Sequence, residues 1–443
     1  MGPITADDLR EQVEELFRPP GEPSRPGAVG VEIELIPVTV PRDGLPDPVP
    51  LESAGHGPSL LAFLTGWGEG RLVATPDSDG SPAFVAGTGA AGGRLSFEPG
   101  GQLEFSTRPR ATVREVGEDL RGFLGPLVED ARRSGIVLAA RGMNPWHTSE
   151  GVGLQVASPR YRAMDQYFAR VGPHGRRMMR LSASMQVNLD LGTGSEVWRR
   201  WRAANLLAPV CTASFANSPG LLGDGRHAVS ARAATWRRVD PSRTGSALVA
   251  APGAATDPVR QYLVFALKAA VMLRRSEDGS LREETGGMRF NEWWAGDHAP
   301  RPGSEEWQLH LSTLFPDVRP RRRLELRAMD VPGLEWWLVP PTLAAALLYD
   351  ELALSDLLET LEPWASGIDA LAERAAVDGL RDPALGSLAG FAFRLALETI
   401  SRYPAGYFGD EAVDRLERFL TTHVERRTMQ ADEWAGAEPV RVD

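Results

Sequence analysis

The stretch that decides the fold is Val29-Gly30-Val31-Glu32-Ile33-Glu34-Leu35, in which apolar and polar residues alternate. Side chains of a strand point alternately to its two faces, so this stretch predicts a strand with one apolar face and one face that carries Glu32 and Glu34. Two carboxylates this close repel each other, and they persist most readily when a cation lies between them. The stretch therefore predicts both a strand and a candidate cation site.

Three further segments repeat this alternation: residues 94–107, with a bend at Gly100-Gly101, residues 181–191 and residues 322–329. A solvated sheet face is the ordinary interpretation of any one such strand. Solvated faces favour Thr, Lys, Arg and Ser, however, whereas these faces combine Glu with Gln and Asn. If the four strands pair, their polar faces form one acidic, amide-lined floor that carries Glu32, Glu34, Glu104, Gln186, Asn188, Glu325 and Arg327, with Glu98 just before the bend.

The strands are separated by long, mixed connections, which favours an α+β fold with a largely antiparallel sheet over a regular βαβ series. Segment 39–93 is rich in Gly, Pro, Ser and Asp, and it predicts only short elements. No repeat or long linker divides the chain, so residues 1–443 are predicted to form a single catalytic domain whose C-terminal portion, about 340–443, is helical. Earlier helices are predicted at 5–18, with Thr5 as N-cap, and at 111–134, 160–170, 195–217 and 257–274.

Composition restricts the class of protein. The net charge of -11 argues against a broad nucleic-acid surface, so anionic substrates need local positive charge or a metal. The only lysine is Lys268 and there is no G-x-x-x-x-G-K-[ST] loop, so a bound phosphate must rely on arginine, backbone N–H groups or metal. The single cysteine, Cys211, allows no internal disulfide and fits a reducing cytoplasm. No signal peptide and no membrane-spanning apolar run are expected.

Carboxylate and amide oxygens are ligands that suit Mg²⁺, which often shares its coordination shell with nucleotide phosphates. The acidic floor therefore predicts a Mg²⁺ and ATP site. The positive charge that anionic substrates need is predicted in the turn-rich loop 230–245, which carries Arg232, Trp236 and Arg243. An arginine side chain there can bind a carboxylate or phosphate with two hydrogen bonds. A surface loop with incidental arginines is the alternative.

At these segments the sequence resembles the glutamate–cysteine ligases of the plant and proteobacterial type, and especially the actinobacterial branch associated with ergothioneine synthesis. The matching motifs occur in the family's order and span residues 30–350. They are Gly30-Val31-Glu32-Ile33-Glu34, Glu98-Pro99-Gly100-Gly101-Gln102-Leu103-Glu104-Phe105-Ser106, Met185-Gln186-Val187-Asn188-Leu189-Asp190, Phe215-Ala216-Asn217-Ser218-Pro219, Trp236 with Asp240 and Arg243-Thr244-Gly245, and Leu324-Glu325-Leu326-Arg327.

The resemblance implies an antiparallel sheet funnel related to the glutamine synthetase catalytic domain. It implies a cytoplasmic enzyme, monomeric or homodimeric, that uses ATP to join L-glutamate and L-cysteine through a γ-glutamyl phosphate, for ergothioneine or glutathione-type thiols. By this resemblance, Arg243 and Arg327 are candidate catalytic residues, and Arg232 and Trp236 are candidate substrate-binding residues. Gln186 and Asn188 would bind substrate or ATP, with Arg243 also assigned to ATP. The candidate Mg²⁺ ligands are Glu32, Glu34, Glu98, Glu104 and Glu325.

Three other functions remain open from the sequence. One is a carboxylate–amine ligase with a different amine acceptor. Another is a phosphotransferase, since guanidino kinases share this general sheet geometry. A third is a silent paralogue that only binds nucleotide, against which the full set of carboxylates argues.

Overall fold

The computed structural model describes residues 3–21, 25–40, 45–53, 57–86, 92–248, 256–276, 278–296, 300–434 and the backbone of 440–441. The strands in the first half of the chain are β1 (Val29–Thr39), β2 (Leu72–Ala74), β3 (Phe84–Ala86), β4 (Gly93–Phe97), β5 (Leu103–Thr107), β6 (Ile136–Ala139) and β7 (Ser184–Leu189). Those in the second half are β8 (Gly220–Leu221), β9 (His227–Ala228), β10 (Leu273–Arg275), β11 (Leu281–Glu283), β12 (Val318–Pro320), β13 (Leu324–Asp330) and β14 (Val440–Arg441).

The helices before the last third are α1 (Ala6–Leu16), α2 (Leu60–Trp67), α3 (Val113–Asp119), α4 (Gly125–Arg133), α5 (Ser149–Val152), α6 (Pro159–Val171), α7 (Pro173–Leu181), α8 (Ser195–Ser214), α9 (Ala231–Val239), α10 (Pro241–Thr244), α11 (Pro258–Lys268), α12 (Phe290–Ala295) and α13 (Ser304–Ser312). The last third holds α14 (Val339–Tyr349), α15 (Glu351–Leu361), α16 (Ile368–Asp378), α17 (Pro383–Ile400) and α18 (Asp410–Phe419). Single turns of 3₁₀ or π helix lie at Leu120–Leu124, Leu334–Trp336, Glu362–Gly367, Gly379–Arg381, Leu420–Val424 and Gln430–Trp434.

One antiparallel sheet organises the part of the chain that the structure describes. Its strands run in the order β12-β13-β7-β1-β5-β4-β3-β2. Strand β6 pairs with residues 36–39 of β1, which follow the residues that pair with β5. The mixed helical and antiparallel fold class is therefore confirmed. The four predicted strands are neighbours or near neighbours, which brings their polar faces together.

The apolar face of the sheet is buried under helices. Val29, Val31, Ile33 and Leu35 of β1 are at most 1% exposed, and α8 and α14 cover this side of the sheet. Helices α15, α16 and α17 pack in turn around α8, so the helical C-terminal third predicted from the sequence is confirmed. Alternation along the first half of β1 thus places Glu32 and Glu34 on the opposite face.

Two local predictions are wrong, each because tertiary hydrogen bonds override local pattern. The predicted loop 230–245 is helical as α9 and α10, since Ser230 and Asp240 cap their first turns. The predicted helix 257–274 ends at Lys268, because the next residues bond elsewhere: Ala270 N–H donates to Ser242 Oγ at 3.0 Å, and Val271 N–H donates to the Met288 carbonyl at 2.8 Å. Apart from the last residue of β1 and the first of β4, segment 39–93 contains only the short elements α2, β2 and β3 among its described residues, as expected.

Candidate active site

The polar face of the sheet forms the floor of a cavity of about 710 Å³. Strand pairing sets its layout, because Glu34 of β1 stands opposite Glu104 of β5, and Glu32 stands opposite Gln186 of β7. Directly opposed side chains of an antiparallel pair lie about 5 Å apart, so the register alone places like charges side by side. Of the predicted residues, those that line the cavity are Glu32, Glu34, Glu98, Glu104, Gln186, Arg232, Trp236 and Arg327.

Glu98 reaches this floor through the turn that joins β4 to β5. Glu98 N–H donates to the Gln102 carbonyl at 2.9 Å, and Gly101 N–H donates to the Glu98 carbonyl at 2.8 Å. Gly101 has φ +83°, a left-handed conformation, and a Cβ at Gly100 would lie 2.2 Å from the Arg180 carbonyl oxygen. The two glycines of the E-P-G-G-Q motif therefore let the chain turn tightly under α7 and aim Glu98 at the cavity.

Three carboxylates form a cluster with the dimensions of a metal site. Oxygen atoms of Glu34, Glu98 and Glu104 all lie within 4.8 Å of one another. Opposite ligands of octahedral Mg²⁺ are about 4.2 Å apart, because each metal–oxygen distance is ~2.1 Å. The carboxylate oxygens of this cluster would therefore need to approach one another by less than about 1 Å to bind the ion. The donor set, all carboxylate oxygen, also fits Mg²⁺.

The electrostatics of the cluster favour a cation. Burial, together with the negative charge of Glu34, raises the pKa of Glu98 to about 8. Burial and the charge of Glu32 raise the pKa of Glu104 well above its ordinary value. The pKa of Glu32 is also raised, by burial and then by Glu325. Each carboxylate is thus costly to ionise beside its neighbours unless positive charge joins them.

Glu325 stands apart from this cluster, contrary to the expectation that it shares a metal with the other four. Its carboxylate is fully buried and is held by Arg319, with Nε–Oε2 at 2.7 Å and Nη2–Oε1 at 3.0 Å, and by Arg327 Nη1 at 3.0 Å. Burial alone would raise the pKa of Glu325, but the two guanidinium charges hold it below its ordinary value. In this structure Glu325 anchors two arginines.

Gln186 and Asn188 form two parallel bridges between a carboxylate and a guanidinium. The Gln186 amide donates to Glu34 Oε1 at 3.1 Å and accepts from Arg327 Nη1 at 2.8 Å. The Asn188 amide donates to Glu32 Oε1 at 3.1 Å and accepts from Arg323 Nε at 2.7 Å. Asn188 does not line the cavity. Both amides therefore orient charged neighbours, and Gln186 alone of the two also faces the cavity.

Arg232 and Arg327 flank the ring of Trp236, with guanidinium carbons 5.3 and 5.8 Å from its centroid. Arg232 is 3% exposed; its Nη2 donates to the Arg327 carbonyl at 2.8 Å, and its Nη1 lies 3.8 Å from Asp330. The Nε atoms of both arginines are buried with no hydrogen-bond partner among the described residues. Arg232 Nη1 makes no hydrogen bond among the described residues, so this cavity-lining cation keeps a donor that suits the carboxylate of a substrate.

Arg243 is where the sequence-based prediction of a direct role disagrees with the structure. The side chain is fully buried and does not line the cavity. Its Nε donates to Asp240 at 2.8 Å and its Nη1 to the Thr313 carbonyl at 2.8 Å, and Nη2 bonds the Ala270 carbonyl. With these bonds made inside the protein, Arg243 joins α10, α11 and α13 around the site and does not reach a ligand directly.

Several cavity residues were missed by the sequence reading. Arg160, Arg319 and Arg321 line the cavity beside the acidic floor, and Tyr161, Met164, Met178, Met179 and Phe315 form an uncharged wall. The run Arg319-Pro320-Arg321-Arg322-Arg323 before β13 was a visible signal for two of these arginines. The methionines lie on helices whose packing against the sheet is not readable from local pattern.

A cavity that joins a carboxylate cluster with arginines on one sheet face is typical of the small-molecule sites of enzymes. The sequence pattern of glutamate-cysteine ligase family 2 matches residues 28–398. The chain belongs to this family of ligases. Among the described residues, none of the helices combines the length and apolar character needed to cross a membrane.

Three similar proteins that are themselves named glutamate–cysteine ligases agree with this membership. The chain is similar to a chloroplastic glutamate–cysteine ligase of Arabidopsis thaliana, with 30% identity over 362 residues, 78% of this chain and 68% of the relative. The match to the chloroplastic enzyme of Medicago truncatula, at 31% identity, covers 65% of this chain and 57% of the relative. Similarity to glutamate–cysteine ligase EgtA of Mycolicibacterium smegmatis is 34% identity, covering 78% of each. A bifunctional glutathione synthetase from Pasteurella multocida superposes with a TM-score of 0.46 at 14% identity, covering 97% of this chain and 52% of that one.

Proposed function

We propose that the protein joins the γ-carboxylate of L-glutamate to the amine of L-cysteine at the expense of ATP, giving γ-glutamylcysteine for ergothioneine or glutathione-type thiols. The observation that carries the proposal is that the cluster of Glu34, Glu98 and Glu104 lines the same cavity as the guanidinium of Arg232. Family membership supplies the reaction class, and the curated relatives bear the name of this ligase.

Residue roles follow from the geometry. We assign Glu34, Glu98 and Glu104 as the Mg²⁺ ligands, with Glu32 lining the same floor. A bound Mg²⁺ supplies a Lewis acid that neutralises phosphate charge. Arg232, stacked near Trp236, holds a carboxylate of glutamate, while Arg327 stays oriented by Gln186 and Glu325 beside the reacting groups.

The proposed chemistry has two balanced steps. A γ-carboxylate oxygen of glutamate attacks the γ-phosphorus of ATP, the bond to the ADP oxygen breaks, and γ-glutamyl phosphate forms. The neutral amine then attacks the acyl carbon, the carbon–oxygen bond to phosphate breaks, and the amine loses a proton as the amide forms. The chain contributes alignment and charge neutralisation, which phosphoryl transfer needs more than covalent help.

Cysteine is favoured as the amine acceptor by the wall of Tyr161, Met164, Met178, Met179 and Phe315, which carries no formal charge. Aromatic rings make favourable contacts with sulfur, and methionine side chains adapt their shape to a small apolar group. The wall gives no counter-charge to an acidic or basic acceptor side chain. A ligase with a different amine acceptor is the second candidate.

The wider assignments belong to the same proposal. We infer a single catalytic domain, related to that of glutamine synthetase, in a cytoplasmic monomer or homodimer. One continuous apolar core extends from Ile4 to Ala431 and includes both the sheet and the C-terminal helices, which supports the single domain.

A product assay with a panel of amines tests the proposal. With ATP, Mg²⁺ and glutamate, we expect ADP release that depends on cysteine, and γ-glutamylcysteine as the product. Turnover with another amine and none with cysteine would transfer the assignment to the second candidate. A stable phosphorylated small molecule would instead indicate a kinase of the guanidino type.

The pH dependence of Mg²⁺ affinity is a consequence of the raised carboxylate pKa values. The pKa of Glu98 is about 8 in the folded protein, against an ordinary value of 4.5. Between these two pH values the folded protein therefore keeps a proton on Glu98 that the unfolded chain has lost. Stability of the metal-free protein should therefore fall as pH rises through that window. Mg²⁺ must displace the proton, so its affinity should rise up to about tenfold per pH unit for each proton displaced. Calorimetric titration from pH 6 to 8 measures this; a Kd that does not change with pH would contradict the cluster as the binding site.

The amide bridges predict an effect on metal binding without loss of a ligand. Gln186→Leu removes the bridge between the assigned ligand Glu34 and Arg327, so we expect Mg²⁺ affinity to weaken by about 10- to 100-fold, the usual cost of losing a partner of this kind. Asn205→Leu is the matched control, since Asn205 is buried in α8 and donates only to the Trp201 carbonyl. Equal Mg²⁺ affinities for the two variants would show that the bridge does not matter.

A further inference from the structure

A short turn late in the chain, Gln430–Trp434, contributes no residue to the cavity wall. It is tied to two segments that end near the active site. Gln430 Oε1 accepts from Gly333 N–H at 2.7 Å, three residues after β13 ends. Trp434 Nε1 donates to Asn217 Oδ1 at 3.1 Å, three residues after α8 ends. The turn therefore joins the segment after α8 to the segment after β13.

The ring of Trp434 is held by a cation as well as by its hydrogen bond. The Arg141 guanidinium contacts the Trp434 ring and lies 5.8 Å from the centroid of the Trp146 ring. Arg141 is 7% exposed and forms no hydrogen bond or ion pair through its side chain among the described residues. Stacking of a cation on an aromatic ring is strongest when the cation is removed from water. Arg141 therefore fixes the indole whose N–H bonds Asn217.

Asn217 connects this indole to Asp330, a carboxylate that is 1% exposed. The side-chain amide of Asn217 donates to the Ala140 and Val331 carbonyls at 3.0 and 2.9 Å. Its backbone N–H donates to Asp330 Oδ2 at 2.9 Å. Because the amide oxygen also accepts from Trp434, these bonds select one orientation of Asn217, and that orientation keeps its N–H on Asp330.

Asp330 fixes the beginning of α9, the helix that carries Arg232. The hydroxyls of Ser218 and Ser230 donate to Asp330 at 2.6 and 2.9 Å. The Ser218 hydroxyl accepts in turn from Arg232 N–H at 3.2 Å, and the Ser230 hydroxyl accepts from Ala233 N–H at 3.0 Å. The Asp330 carboxylate also lies 3.8 Å from Arg232 Nη1. A continuous chain of contacts therefore runs from the indole of the turn to the cavity-lining arginine.

We propose that Trp434, Asn217 and Asp330 are positioning residues that hold Arg232 in place for the substrate carboxylate. The inference rests on the proposed function, in which Arg232 holds glutamate. The turn lies beyond residue 398, where the match to the ligase family ends, so family membership gives it no role. The carboxylate cluster on β1 and β5 lies outside this chain of contacts, so loss of the chain should weaken glutamate binding selectively.

Trp434→Phe tests the chain, because it removes the indole N–H and keeps an aromatic ring beside Arg141. We expect KM for glutamate to rise about three- to tenfold, the equivalent of one lost hydrogen bond, while kcat and KM for ATP change less than about twofold. Trp67→Phe is the matched control, since Trp67 Nε1 donates to Asp130 at 2.9 Å and Trp67 does not line the cavity. Melting temperatures verify that both variants fold.

A double-mutant cycle separates positioning from a general loss of stability. If Trp434 acts through Arg232, then Trp434→Phe should raise KM for glutamate no further in an Arg232→Gln background. Asp330→Asn, which keeps an oxygen for Ser218 and removes the charge beside Arg232, is expected to raise KM for glutamate about tenfold or more, with KM for ATP again unchanged.

An unchanged KM for glutamate in Trp434→Phe would overturn the inference, and so would an increase of the same size in the Arg232→Gln background. Failure of the proposed function has a different signature, because the wild-type protein then forms no γ-glutamyl product. Hydrogen–deuterium exchange tests the chain in that case. Faster exchange across α9 in Trp434→Phe, but not in Trp67→Phe, supports the chain, and equal exchange in the two variants contradicts it.

Discussion

Glu104→Gln is expected to lower kcat/KM at least about 1000-fold while leaving the metal-free protein as stable as the wild type or more stable. Loss of a metal ligand removes several kcal/mol of charge stabilisation from phosphoryl transfer. The stability of the metal-free protein should not fall, because burial and neighbouring carboxylates make an ionised Glu104 unfavourable in the folded wild type, and glutamine carries no charge. The glutamine keeps an oxygen that can accept from Ser96, which donates to Glu104 at 2.8 Å.

Two measurements on this variant separate function from folding. Thermal unfolding at pH 8 without Mg²⁺ should give a Tm at or above that of the wild type, and added Mg²⁺ should no longer raise it. Glu129→Gln, an exposed carboxylate on α4 that pairs with Arg133 at 3.2 Å, is the control and should keep both activity and the Mg²⁺ response. Wild-type turnover in Glu104→Gln would refute the metal assignment.

Arg232→Gln is expected to raise KM for glutamate about 100-fold or more, with KM for ATP nearly unchanged. A buried, charge-assisted contact with a carboxylate is worth about 2–5 kcal/mol, and tenfold in affinity corresponds to ~1.4 kcal/mol. The fold should survive, because Asp330 keeps three other donors: Asn217 N–H at 2.9 Å, Ser218 Oγ at 2.6 Å and Ser230 Oγ at 2.9 Å.

Arg238→Gln is the matched control on the same helix. Arg238 faces away from the cavity and bonds Glu373 at 2.7 Å, so its loss should leave both KM values unchanged. An Arg232→Gln enzyme whose KM for ATP rises instead would place the nucleotide at Arg232 and contradict the assignment of this arginine to glutamate.

The floor of the site is predictable from sequence because strand alternation fixes which face a side chain takes. Glu32, Glu34, Glu104 and Gln186 lie where this rule places them, and the Gly100-Gly101 turn adds Glu98. The mixed fold and the helical C-terminal third follow from the same periodicities. These features depend on the periodicity of apolar residues and on strand pairing, and the packed tertiary structure keeps both.

The residues that local pattern misassigned are those whose partners lie far along the chain. Arg243 looks like a ligand-binding fork in a loop until Thr313 and Ala270 are seen to occupy its donors. Glu325 looks like one more carboxylate of the floor until Arg319 is found across the β12–β13 pair. Alternation shows which face a charge takes, but only the tertiary structure shows whether that charge is already paired.

Transfer of oxygen from glutamate to phosphate tests the central claim most directly. The reaction is run with glutamate labelled with ¹⁸O in its γ-carboxylate, together with ATP, Mg²⁺ and cysteine, and the inorganic phosphate is analysed by mass spectrometry. If a γ-glutamyl phosphate forms over the carboxylate cluster, each phosphate released carries one ¹⁸O atom, because the carbon–oxygen bond breaks when the amine attacks. Phosphate free of ¹⁸O, released in step with the γ-glutamyl product, would contradict the acyl phosphate route.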